Sequence, residues 1–84
     1  MILNNTDYKT ISQNLEIGNN TFVFDKEGET LTFDYFYEED GYEEYGWYIV
    51  THREVTIYDI TCVNEDDEEV SVNFDEGILQ KMVA

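Results

Sequence analysis

Carboxylates are the chemically active groups this chain holds in excess. Twenty Asp and Glu stand against four Lys and Arg, a formal net charge of -16 in 84 residues. Two runs concentrate them. Glu38, Glu39, Asp40, Glu43 and Glu44 form the first, with Tyr42 and Tyr45 interleaved. Glu65, Asp66, Asp67, Glu68 and Glu69 form the second. Clustered carboxylates can hydrolyse, bind cations, solvate a surface or present negative charge to a cationic partner, and the spacing discriminates among these.

Glycosidases need a carboxyl pair flanking a substrate cleft, and a chain of 84 residues leaves little room for one. A Ca²⁺ loop needs oxygen ligands at fixed intervals and a glycine at its sharp turn. The run Glu65 to Glu69 supplies the oxygens without that pattern, so weak, nonspecific divalent binding is expected and no dedicated metal site. Acidic runs in loops ordinarily serve solubility and keep sheet edges from aggregating. The remaining role is imitation of a nucleic-acid backbone. A folded chain of 9.9 kDa exposes roughly 5,200 Å², or one acid per about 260 Å². Duplex DNA, taken as a cylinder of about 10 Å radius, carries one charge per roughly 110 Å². Average acidity therefore falls short of DNA by a factor of about two to three. Mimicry requires the acids to crowd onto one side.

Other reactive groups are sparse. His52 is the only histidine and Cys62 the only cysteine. A Cys–His pair can act as a nucleophile and base, but no third group orients this one, and Arg53 offers only a generic thiolate-stabilising charge. His52 reads as an exposed turn residue. Cys62 lies in a β-branched run and reads as a buried, reduced thiol, as suits a cytoplasmic protein. There is no phosphate loop, zinc spacing or nucleophile elbow. No catalytic residue, metal site or cofactor is expected, and the protein reads as a non-enzyme.

Thirteen aromatics separate this chain from a disordered acidic tail, because they supply the apolar burial that offsets chain entropy. Phe33, Tyr35, Phe36, Tyr37, Trp47 and Tyr48 read mostly as core. Tyr42 and Tyr45, flanked by acids, suit a basic partner whose Arg can pair with carboxylates and stack on the ring.

The elements that hold these residues follow from periodicity. From Thr6 to Ile17, Tyr8, Ile11 and Leu15 fit a helical stripe capped by Thr6, while Ile11, Leu15 and Ile17 also fit strand alternation; a short helix or irregular segment ending near Gly18 is expected. Gly18-Asn19-Asn20 reads as a turn. Thr21–Asp25 and Leu31–Tyr37 alternate around Lys26-Glu27-Gly28 as a β-hairpin. Glu38–Tyr45 reads as an acidic loop. Trp47–Thr51 is a third strand and Glu54–Val63 a fourth. The apolar phase slips between Ile57 and Tyr58, which means either two covered faces or a β-bulge. Asn64–Glu68 is a turn and Val70–Phe74 a fifth strand. Asp75 caps a final helix with an apolar stripe of Ile78, Leu79, Met82 and Val83. The expected fold is a single α+β domain, residues 1–84: a small antiparallel sheet of about five strands, a short C-terminal helix and a possible short N-terminal one. No signal peptide or membrane span is expected.

The stretch from Gly46-Trp47-Tyr48-Ile49-Val50 through Ile60, followed by an acidic turn, resembles small acidic proteins of bacteriophages and mobile elements. That resemblance covers about the last half of the chain and carries no residue role across. It implies a cytoplasmic accessory protein and favours an inhibitor of a host DNA-handling or defence protein.

The expected function is therefore a non-enzymatic, acidic, nucleic-acid-mimicking inhibitor. Its partner would be a basic, nucleic-acid-binding protein. Contacts would come from Glu38, Glu39, Asp40, Tyr42, Glu43, Glu44, Tyr45, Glu65, Asp66, Asp67, Glu68 and Glu69. Direct nucleic-acid or membrane binding is not expected of so acidic a chain, and the protein would be a monomer or homodimer. The alternative is a structural or assembly protein of a phage-like element that self-associates through a sheet edge or its C-terminal helix.

Overall fold

Strand alternation decides which side chains meet. A computed structural model describes residues 1–84 as α1 (Asn5–Gln13), β1 (Gly18–Lys26), β2 (Glu29–Glu44), β3 (Trp47–Val63) and α2 (Glu76–Val83). The strands form one antiparallel sheet in the order β1-β2-β3. On β2, Leu31, Phe33, Tyr35 and Tyr37 alternate onto one face and are all buried. Phe22 and Phe24 of β1 pair with Phe33 and Leu31 and join that face, with the Phe22 and Phe33 rings stacked at 5.4 Å between centroids. Val55, Ile57 and Cys62 complete it from β3. Both helices cover this face, α1 through Tyr8 and Ile11 and α2 through Leu79 and Val83. Each fully buried aliphatic or Phe side chain contributes about 1.5–3 kcal/mol. The opposite face has no covering layer.

The fold class is as the periodicity predicts, but the sheet has three strands, not five. Two predicted loops are strand instead. Glu38–Glu44 continues β2, and the third and fourth predicted strands are one, β3, with His52 and Arg53 inside it. Gly18-Asn19-Asn20, expected as a turn, opens β1. The predicted fifth strand, Val70–Phe74, touches the sheet only through the isolated bridge Val63–Glu69 and the bond from Val70 N–H to the Cys62 carbonyl. Its Val70, Val72 and Phe74 still pack on the core. Their alternation is real, but it serves a strap beside the N-terminus rather than a ladder. The Met1 ammonium donates to the Ser71 carbonyl and Leu3 N–H to Asn73 Oδ1, both at 2.6 Å.

The slip in apolar phase along β3 is a bulge. Leu31 faces Cys62 while Tyr35 faces Ile57, so β3 spends one more residue than β2 over this stretch. Asp59, at φ +54°, lies in the interval and marks the local departure from strand geometry. The helix termini are explicit. Asn4, not Thr6, caps α1: Asp7 N–H donates to Asn4 Oδ1 and Asn4 N–H to Asp7 Oδ2, each at 2.9 Å. Asp75 caps α2, accepting from Gly77 and Ile78.

Candidate functional site on a projecting hairpin

Pairing between β1 and β2 begins at Gly18 opposite Tyr37. Beyond that point only β2 and β3 remain. Their pairs run from Glu38 opposite Glu54 to Glu44 opposite Trp47. This two-stranded arm makes the molecule 54 Å long and 17 Å thin. Its radius of gyration is 14.8 Å, against about 12 Å for a compact chain of this length.

The arm closes at Tyr45-Gly46, with φ of +52° and +80°. Positive φ at both central residues is the two-residue hairpin turn that matches strand twist, and it favours Asn, Asp or Gly. Tyrosine in the first position is strained, and its ring is 93% exposed. Trp47, at 73%, and Tyr48, at 56%, are exposed beside it, as is Tyr42 at 50%. Trp47 and Tyr48 are therefore not core, contrary to their reading from composition. Phe36 is half-buried on the uncovered face, whereas Phe33, Tyr35 and Tyr37 are core as expected.

A second register shift lies between Asp40 and Gly41, where Thr51 is the extra residue and donates to the Asp40 carbonyl at 3.2 Å. Gly41 is required there, because a Cβ would collide with the Ile49 carbonyl oxygen. Along β2, alternation sets Glu38, Asp40, Tyr42 and Glu44 toward the uncovered side and Glu39 and Glu43 toward the other. Their cross-strand partners are Glu54, His52, Ile49 and Trp47 on the first side and Arg53 and Tyr48 on the second.

Six carboxylates on the arm face one full cation, Arg53. Arg53 Nε lies 3.4 Å from Glu39 Oε1, and His52 Nε2 lies 3.1 Å from Glu54 Oε2. Both pairs are solvent-exposed, so neither adds much stability. The Tyr37 hydroxyl donates to Glu39 Oε1 at 3.3 Å. Burial first, then the Glu39 charge and hydrogen bond, push its pKa up, so it remains a donor throughout the physiological range.

Among the residues expected to make contacts, the fold brings together Glu38, Glu39, Asp40, Tyr42, Glu43, Glu44 and Tyr45. It separates them from Glu65, Asp66, Asp67, Glu68 and Glu69, which sit on the turn after β3 at the far end. Glu38 stands opposite Glu54, so the run of chain from Glu54 to Glu65 puts roughly 35 Å between the nearest members of the two clusters. At that far end Asn64 Oδ1 accepts from Asp66 and Glu68 N–H groups, and Glu65 lies against Gly28. A shallow hollow there is lined by Glu27, Gly28, Glu29, Asn64, Glu65 and Asp66. No group of three or more His, Cys, Asp or Glu side chains converges in a metal-holding arrangement.

His52 and Cys62 are ten positions apart on the same strand, roughly 33 Å, and cannot act together. Cys62 is buried and free, and burial raises its pKa. No helix is long and apolar enough to cross a membrane. Trp47, Tyr48 and Glu54 are arm residues that the loop reading missed. The local signal was one-sided: Gly46 can close a tight turn into the strand-forming Trp47-Tyr48-Ile49-Val50, but the Gly and Glu residues before it are poor strand formers.

No protein-family model matches the chain, and no match was found among curated proteins or solved structures.

Proposed function

We propose that this is a non-enzymatic interaction protein that uses its hairpin arm to occupy a basic, nucleic-acid-binding surface of another protein. The observation that carries the reading is that the arm spends stability on features with no use inside the chain. A two-stranded ribbon is marginally stable alone in water. This one adds a strained tyrosine at its tip and the like charges Glu38 and Glu54 directly opposite one another. It also exposes aromatics of the kind that anchor interfaces.

Charge density supports a nucleic-acid-like target. The arm spans about 20 Å along its strands. Six carboxylates over that length come to one per roughly 3.5 Å, close to the ~3.4 Å per charge of a single nucleic-acid strand and about half the density of the duplex. The arm is no denser in acids than the whole molecule, whose twenty carboxylates over 54 Å come to one per about 2.7 Å; what sets it apart is that its acids stand beside exposed aromatics. The distant cluster, Glu65 to Glu69, cannot share the arm's contact surface. It contributes to the long-range field that accelerates encounter with a cationic partner.

The test is competition. A panel of basic proteins, each bound to fluorescent duplex DNA, is titrated with this protein at low and moderate salt. Displacement that weakens with salt and disappears in the triple variant Glu38→Lys, Asp40→Lys, Glu44→Lys supports the reading. Displacement retained by that variant rejects the arm. Self-assembly through the C-terminal helix is the less favoured reading, because Leu79 and Val83 of its apolar stripe are buried in the protein's own core. Sedimentation showing a large, salt-insensitive oligomer would favour assembly instead.

A further inference from the structure

The arm lacks a third strand. β1 stops at Gly18, opposite Tyr37, and the outer edge of β2 continues from Glu38 to Glu44 with no strand beside it. Alternate backbone N–H and C=O groups on that edge point away from β3 and have no ladder partner. We propose that this edge takes up an extended, Arg- or Lys-rich segment of the partner as an added strand, in line with β1. The inference rests on the arm being the contact surface and specifies how contact is made.

Comparison of the sheet's edges favours this one. The outer edge of β3 is obstructed. Val55 N–H donates to Gln80 Oε1 and Gln80 Nε2 donates to the Arg53 carbonyl, each at 2.9 Å. Val70 N–H occupies the Cys62 carbonyl at 2.8 Å. Irregularities at Asp59 and Thr51 break what remains. The outer edge of β1 is open but carries a single acid, Asp25, beside Lys26, so it selects for no charge. The free stretch of β2 holds five acids between Glu38 and Glu44.

Charge also selects the occupant. A second copy laid edge to edge along Glu38–Glu44 would set carboxylates against carboxylates, which opposes pairing. A basic strand meets the reverse situation. Glu38, Asp40, Tyr42 and Glu44 share one side of the ribbon at about 6.7 Å intervals. Cations at alternate positions of the added strand would lie beside those carboxylates. An Arg beside Tyr42 can stack on the half-exposed ring. Backbone pairing supplies affinity in this mode and alternate side chains supply preference. The segment expected is one with Arg or Lys at every second position.

The probes are three synthetic peptides of about nine alternating Arg and Thr residues. One has an ordinary backbone, one is N-methylated at every Arg, and one at every Thr. Charge is the same in all three, but each methylated peptide has lost the amide donors along one of its edges. Binding to the intact protein is followed by Trp47 fluorescence and by amide hydrogen exchange. The ordinary peptide is expected to bind and to slow exchange at outward amides between Glu38 and Glu44. One methylated peptide should lose at least about tenfold in affinity and the other should stay near the ordinary one. Equal binding by all three, abolished by the Glu38→Lys, Asp40→Lys, Glu44→Lys variant, would overturn strand addition and leave the charged arm standing. Ordinary-peptide binding that survives the triple variant would overturn both. The methylated pair is tested on the unmodified protein, so that comparison does not depend on the variant folding.

Discussion

Replacing Tyr45 by Asn should make the arm more stable and a poorer binder. Tyr45 sits at φ +52° in the first central position of the arm's turn. For a residue with a bulky Cβ substituent, left-handed backbone costs about 1–2 kcal/mol, and Asn relieves part of it. The usual counterweight is absent. The tyrosine ring is 93% exposed, so removing it sacrifices almost no burial. The net change is the backbone difference, about 1 kcal/mol in favour of Asn. Because the turn joins β2 to β3, the gain should appear as tighter closure of the arm. Amide exchange between Glu39 and Arg53 should slow by about fivefold, a factor that corresponds to 1 kcal/mol. Exchange in the body, at Leu31 to Tyr35, should change little. In the same variant, displacement of DNA from a basic partner should weaken, since the most exposed aromatic is gone. Faster arm exchange in Tyr45→Asn would refute the strain argument. Slower exchange with full binding retained would mean that the strained ring serves no contact.

Four other outcomes follow from the geometry. Tyr8→Phe keeps the ring but removes a hydroxyl that donates to the Asn73 carbonyl at 3.0 Å and accepts from Asp75 N–H at 2.9 Å. It should cost about 2 kcal/mol and lower Tm by roughly 10 °C, measured by thermal unfolding. At a net charge of -16, raising salt from about 0.01 M to about 0.15 M should raise Tm, because the screening length contracts from about 30 Å to 8 Å. A flat or falling Tm would contradict that. For Asp7, burial alone would raise the carboxyl pKa, but hydrogen bonds from Lys26 and the Asn4 backbone and the Lys26 charge outweigh it and hold it low. The stability this provides is present above the ordinary value of about 3.9 and is lost as pH falls through the depressed one. The stability gap between the protein and Asp7→Asn, followed by denaturant titration, should therefore narrow below about pH 4. Gly41→Ala should loosen the arm by about 1–3 kcal/mol, because the new Cβ meets the Ile49 carbonyl and lies 3.0 Å from Val50 Cα. Arm amides should exchange faster while the body's Tm moves little.

Local pattern alone was enough for much of this molecule. The alternation of Leu31, Phe33, Tyr35 and Tyr37 identified the core face of β2, because a period of two leaves only one way to bury all four. The odd-to-even slip between Ile57 and Cys62 left two covered faces or a β-bulge open, and the structure has the bulge, with Asp59 at φ +54° where it falls. Asp75 and the stripe behind it specified α2, because capping and amphipathicity are both short-range.

The arm needed the tertiary structure. Composition between Glu38 and Tyr45 favours a solvated loop, and nothing within that window says that Ile49 and Trp47 stand across from Tyr42 and Glu44. That pairing is inherited from the register of the body. Once Tyr37 is held opposite Val55, β2 and β3 leave the body already side by side, and the Tyr45-Gly46 turn closes them. The same long-range register sends Glu65 to Glu69 to the opposite end. Which acids lie together was decided by strand length, a property of the assembled sheet that no run of carboxylates contains.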